Sequence, residues 1–60
     1  MDTQDKENII KSAQTTNLLI HDFRELVKSK DPLLADIALE VLEQAVKVEN
    51  QLMRIESIST

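Results

Sequence analysis

A seven-residue apolar repeat in the second half of the chain constrains its fold more than any other feature. Its members are Leu34, Ala38, Val41, Ala45, Val48, Leu52 and Ile55. Steps of four and three residues place these side chains along one side of an α-helix, as in helices that pair with other helices. The repeat therefore predicts a helix that packs lengthwise against another helix.

The first half of the chain carries a repeat with the same spacing, flanked by Leu19 and Leu26. Its members are Ile9, Ala13, Thr16, Ile20, Phe23 and Val27. Between the two repeats, Asp31 can cap a helix and Pro32 fits its first turn, where no backbone N–H is needed. Asp2 or Thr3 can cap the first helix. We expect the first helix at about 3–29, a turn at 29–32 and the second helix at about 32–57, with fraying from Ser57 onward.

The composition favours long helices and makes association necessary for stability. The chain has no Gly and a single Pro, which argues against a fold rich in tight turns. Two similar helices joined by a short turn fold back as an antiparallel hairpin. A domain of 60 residues is marginal unless disulfides, metals or association help it. The chain has no Cys for disulfides, and its one His is too few for a zinc site within a single chain. Association is the remaining source of stability. We therefore predict an all-α hairpin of one domain, 1–60, that dimerises into a four-helix bundle.

The second helix has another apolar row beside its repeat, which one partner helix leaves uncovered. A single neighbour covers only about 100° of a helix surface. We predict that this row binds a second copy of the chain or a helix of a partner protein. The residues predicted for this interface are Leu39, Leu42, Val46 and Met53.

Composition and motifs argue against most other classes of function. The chain has no Gly-rich phosphate loop and no nucleophile–base pair, and a hairpin has no room for a pocket that excludes water. We expect no enzymatic activity, cofactor, metal or small-molecule substrate. No apolar run approaches the ~18 residues of a membrane span, and the acidic start lacks the features of a signal peptide. The sequence predicts a cytoplasmic interaction or regulatory module.

Polar and basic side chains on one side of the first helix keep RNA binding open as an alternative. This face comprises Lys6, Asn17, Arg24 and Lys28, with His21 beside it and Gln14 at its border. In length, hairpin layout and alternation of small and large core residues, and in the run Ala35-Asp36-Ile37, the chain resembles the Rop family of plasmid regulators. That resemblance implies RNA binding through the first helix. The family's RNA face uses an aromatic residue, whereas this chain has Ile10, Gln14 and Leu18 there, and its net charge of −4 disfavours general affinity for nucleic acid.

His21 is the single residue with an evident reactive alternative. The stretch from Leu19 to Arg24 resembles the phosphoacceptor box of sensor histidine kinases, which implies a phosphotransfer module with His21 as the acceptor. The chain departs from that box because no Pro follows soon after the His. The simpler interpretation is a solvated histidine beside the apolar repeat.

Overall fold

Two helices account for nearly all of the described chain. A computed structural model describes residues 2–59, although for Ser59 only the backbone is described. Helix α1 spans Thr3–Leu26 and helix α2 spans Pro32–Ser59, and no strand occurs among the described residues. They fold back on each other as a rod of 45 × 15 × 11 Å. The all-helical hairpin predicted from the two repeats is confirmed.

Asp2 caps the beginning of α1. Its backbone is extended, with φ −79° and ψ 170°, and its Oδ1 accepts a 2.8 Å hydrogen bond from the backbone N–H of Asp5. This bond satisfies one of the N–H groups that the first helical turn leaves without a partner. The prediction that Asp2 or Thr3 caps the helix is confirmed for Asp2.

The end of α1 lies at Leu26, before the predicted boundary near Ser29. The backbone N–H groups of Lys28 and Ser29 donate to the carbonyl oxygens three residues earlier, at 3.1 and 3.0 Å, so the chain tightens into 3₁₀ turns. No residue in the range 2–59 has a positive φ angle. Because the chain has no Gly for a left-handed cap, α1 ends by tightening instead.

Asp31 and Pro32 begin α2 as the sequence predicts. The Oδ1 atom of Asp31 accepts from the backbone N–H of Leu33 at 3.0 Å and of Leu34 at 3.4 Å. The Asp31 carbonyl oxygen accepts the first helical bond, from Ala35 at 2.9 Å. The helix then continues to Ser59, so the fraying predicted from Ser57 onward is not seen up to that residue.

The repeat of α1 faces α2 along its whole length. Ile20 is buried, and every other member of the repeat is at least partly buried. Thr16 tolerates this position because its hydroxyl donates a 2.8 Å hydrogen bond to the carbonyl oxygen of Ser12 in its own helix. The predicted seam of α1 is therefore confirmed.

The seam of α2 is rotated from the predicted one. Ala38, Ala45 and Leu52 face α1 as expected and Val41 is half-buried, but Leu34, Val48 and Ile55 are exposed. The row whose members are all at least partly buried is Ala35, Ala38, Leu42, Ala45, Glu49, Leu52 and Glu56, and Val41 and Val46 beside it are half-buried as well. Four of the seven seam positions have moved by one residue, which turns the seam by about half of the 100° between successive residues.

Small residues explain where the helices meet. The rotated seam contains three alanines, and two of them, Ala38 and Ala45, are the only buried residues that the structure describes on α2. Alanine lets two helix backbones approach, which is consistent with the burial of Ile20 on α1. Neither helix, over its described length, has a stretch that is both long and apolar enough to cross a membrane.

Candidate interaction surface

One side of the hairpin presents an apolar stripe to solvent, which we call the leucine–valine face. It comprises Leu19 and Leu26 of α1 and Leu34, Val41, Val48 and Ile55 of α2. Val41 is half-buried and the others are exposed. Ser12 and Ile55 line one groove between the helices, which places the edge of α1 that carries Ser12 beside this row of α2. Leu19 and Leu26 follow Ser12 at seven-residue steps, so they lie on the same side.

The opposite side of the hairpin, which we call the mixed face, alternates apolar and polar side chains. It comprises Ile10, Asn17 and Arg24 of α1 and Leu39, Val46 and Met53 of α2. Asn17 and Met53 line a common groove, which places these two edges together. The two faces therefore differ in chemistry, because all members of the leucine–valine face are aliphatic.

The structure divides the four residues predicted for the interface. Leu42 is half-buried in the row that faces α1, and Val46 is half-buried on the mixed face between Leu39 and Met53. Leu39 and Met53 are exposed on the mixed face, with 45% and 60% of their surface accessible. The rotation of α2 causes this division, since it brings part of the second apolar row toward α1. That these residues bind a second copy stays a prediction.

The sequence does not predict the leucine–valine face as an exposed surface. Leu34, Val48 and Ile55 belong to the α2 repeat that predicts contact with α1, and Leu19 and Leu26 flank the repeat of α1. Their seven-residue spacing, Leu19 to Leu26 and Val41 to Val48 to Ile55, was the available signal. It indicates a common edge but cannot say whether that edge is covered.

Part of the predicted polar face of α1 comes together in an open groove. Gln14, Asn17, His21 and Arg24 line it, together with Leu18, Ile20 and the carboxylate-bearing Glu49 of α2. Amide, imidazole and guanidinium groups can donate hydrogen bonds to phosphate or to base edges. The acidic Glu49 in the same groove opposes phosphate binding.

The remaining two basic residues of that face do not join the groove. The Lys28 ammonium forms a 3.0 Å ion pair with the Glu25 carboxylate, one helical turn away. Lys28 lowers the pKa of Glu25 through this hydrogen bond and its positive charge, and His21 adds a smaller effect in the same direction. Lys6 lies near the start of α1, about 27 Å along the helix from Arg24 at 1.5 Å per residue. Nucleic-acid binding by this face of α1 stays a prediction.

His21 is exposed, and the structure gives it no partner that would mark it as reactive. It lines the open groove beside Gln14 and Arg24, and no hydrogen bond or ion pair of its imidazole occurs among the described residues. An exposed imidazole is accessible to a phosphoryl donor but is equally expected of a solvated surface histidine. Its role as a phosphoacceptor stays a prediction.

No three His, Cys, Asp or Glu side chains of the described part of the chain come together in a way that could hold a metal ion. The grooves between the helices lie open at the surface of the rod. The expected absence of enzymatic activity and of a cofactor stays a prediction.

No protein-family model, no curated protein and no solved structure matches this chain.

Proposed function

We propose that this chain is a small, non-enzymatic interaction or regulatory module of the cytoplasm whose working form is a homodimer, a bundle of four helices. The observation that carries the proposal is the imbalance between core and surface. Three residues of the described chain are buried in the hairpin, Ile20, Ala38 and Ala45, whereas twelve large hydrophobic residues are exposed. Single exposed apolar residues are normal in soluble proteins, but contiguous apolar patches indicate a binding surface.

The accessible surface area supports the same proposal. The hairpin exposes 4826 Å². A compact monomer of 6.8 kDa is expected to expose about 4,000 Å². The excess of roughly 800 Å² equals the area that one partner typically contributes to a stable protein–protein interface. A second hairpin is the smallest addition that removes this excess.

Sedimentation velocity over a range of protein concentrations tests this proposal. We expect the mass of two chains at high micromolar concentration, and circular dichroism that loses helix signal on dilution, because folding and association are coupled in small dimers. A helical wild-type chain that sediments as a monomer throughout this range would contradict the proposal.

RNA binding is a second candidate, supported by the groove that Gln14, Asn17, His21 and Arg24 share. If the groove binds structured RNA, the affinity should fall steeply with salt and with the change Arg24→Ala. Lys6→Ala is the matched control, because Lys6 lies far from the groove on the same helix. A gel shift that detects no complex with structured RNA at low salt would remove this candidate.

A further inference from the structure

We propose that the leucine–valine face is the surface on which a second copy of the chain docks. The inference rests on the proposed function, since it names the interface of the dimer. It differs from the interface expected from sequence, which includes Leu39 and Met53 on the opposite side.

The leucine–valine face forms a continuous stripe along the hairpin. Ala13 and Leu52 line one groove and Ile9 and Ile55 another, so the first part of α1 lies beside the last part of α2. The antiparallel hairpin therefore places Leu26 beside the first part of the α2 row and Leu19 beside its middle. From Leu34 to Ile55 the stripe is about 31 Å long at 1.5 Å per residue, most of the 45 Å rod.

The stripe is suited to contact with a copy of itself. In a two-fold dimer the same patch serves both partners, so it has to be complementary to its own chemistry. Every member of the leucine–valine face is uncharged and aliphatic. Asp5 lines the groove at the Ile55 end and lies seven residues before Ser12 on the same edge of α1, so a contact centred on Leu19 and Val48 leaves this charge at the end of the stripe. Ser12, which continues the α1 edge of the stripe, donates its hydroxyl to the Asn8 carbonyl oxygen at 2.7 Å. Its hydrogen bond would survive burial.

The mixed face is a poorer interface for a second copy. Docking there would bury the Arg24 guanidinium and the Asn17 amide beside Glu49, which lines the same groove. No ion pair of Arg24 occurs among the described residues. Removing an unpaired charge from water is costly, and that cost would offset the burial of Leu39 and Met53.

The hairpin exposes roughly 800 Å² more than a compact monomer of its mass, which is about the share that one partner contributes to a standard interface. Docking of a second copy on the leucine–valine face covers aliphatic surface and leaves Arg24 and Glu49 of the other side on the outside of the dimer.

Two matched double variants test the inference. Leu19→Glu with Val48→Glu places two carboxylates on the leucine–valine face, and Leu39→Glu with Met53→Glu places two on the mixed face. Each member of both pairs is exposed in the hairpin, so the variants share the same added charge and differ in the face they alter. We expect the first variant to raise the dimer dissociation constant by about 100-fold or more, because four carboxylates would be buried in each dimer. We expect the second variant to change it by less than about 5-fold.

Sedimentation velocity gives both dissociation constants and separates the two proposals. A wild-type chain that is already a monomer overturns the proposed function together with this inference. A wild-type dimer that Leu39→Glu with Met53→Glu dissociates, and that Leu19→Glu with Val48→Glu leaves intact, overturns this inference alone.

A measurement on the wild-type chain keeps the test valid if the first variant fails to fold. In a dimer mixed from isotope-labelled and unlabelled chains, filtered NMR detects contacts between methyl groups of different protomers. We expect such contacts at the methyl groups of Leu19, Val48 and Ile55. Contacts between chains confined to Leu39, Val46 and Met53 would overturn the inference.

Discussion

Truncation of Ile20, the most buried side chain of α1, should destabilise the hairpin strongly. Ile20 is 3% exposed and is the one buried residue of this helix. Ile20→Ala removes three side-chain carbons at about 0.8 kcal/mol each, or about 2.4 kcal/mol of burial. Incomplete closure of the space left behind adds to this cost, so we expect a loss of about 3 kcal/mol in the free energy of unfolding.

Leu18→Ala is the matched control for this prediction. It removes the same number of carbons from a side chain two residues away that is 66% exposed, so we expect a change below about 0.5 kcal/mol. Urea unfolding followed by circular dichroism measures both, at one protein concentration because association adds to the apparent stability. The corresponding fall in Tm is roughly 10–25 °C for Ile20→Ala. Equal losses in the two variants would refute the packing of α1 described above.

Three further changes test other parts of the hairpin. Asp31→Ala should lower the free energy of unfolding by about 1 kcal/mol because it removes the cap of α2. Asp31→Asn should retain most of this stability, because an asparagine side chain can also cap a helix. Equal losses in the two variants would argue against a capping role. Ala45→Leu should overpack the point where the helices approach and cost about 1–3 kcal/mol, whereas a neutral result in urea unfolding would mean that the helices are not closely packed there. Lys28→Ala should raise the pKa of Glu25 toward its ordinary value, measured by NMR titration, because the ion pair stabilises the charged carboxylate. Since that pKa is lowered in the folded chain, the pair's stabilisation is present at neutral pH and is lost as the pH falls through the folded pKa. An unchanged Glu25 titration would contradict the pairing.

Local signals in the sequence were sufficient for the elements and their connection. Asp31 and Pro32 mark the start of α2 because a capping carboxylate and a residue without an N–H satisfy the first turn through local contacts. The residue at which α1 ends could not be predicted from the sequence as closely. Without a Gly to end the helix in a left-handed cap, the chain leaves α1 through 3₁₀ bonds, and no residue type marks the position at which such tightening begins.

The polar face of α1 could be predicted only in part. Asn17, His21 and Arg24 share one side of the helix by their spacing, and the structure brings them into one groove. The sequence does not predict that Glu49 lines the same groove, because the position of Glu49 depends on how α2 is rotated against α1. The ion pair of Lys28 with Glu25 follows from their i, i+3 spacing and could have been anticipated from the sequence.

The two helices, the turn between them and the side that α1 buries could all be predicted from the sequence. The α1 repeat has Leu19 and Leu26 on one side but Asn17 and Arg24 on the other and polar residues on the rest of the helix, so its apolar side can be recognised. On α2, apolar side chains occupy well over half of the circumference, and periodicity cannot choose among adjacent faces. The packing of the two helices determines which face of α2 is buried. Ala38 and Ala45 are buried against α1, and Leu34, Val48 and Ile55 remain exposed. Close packing of α1 depends on the small side chains of α2. Because this contact joins two helices, the periodicity of either helix alone does not predict it.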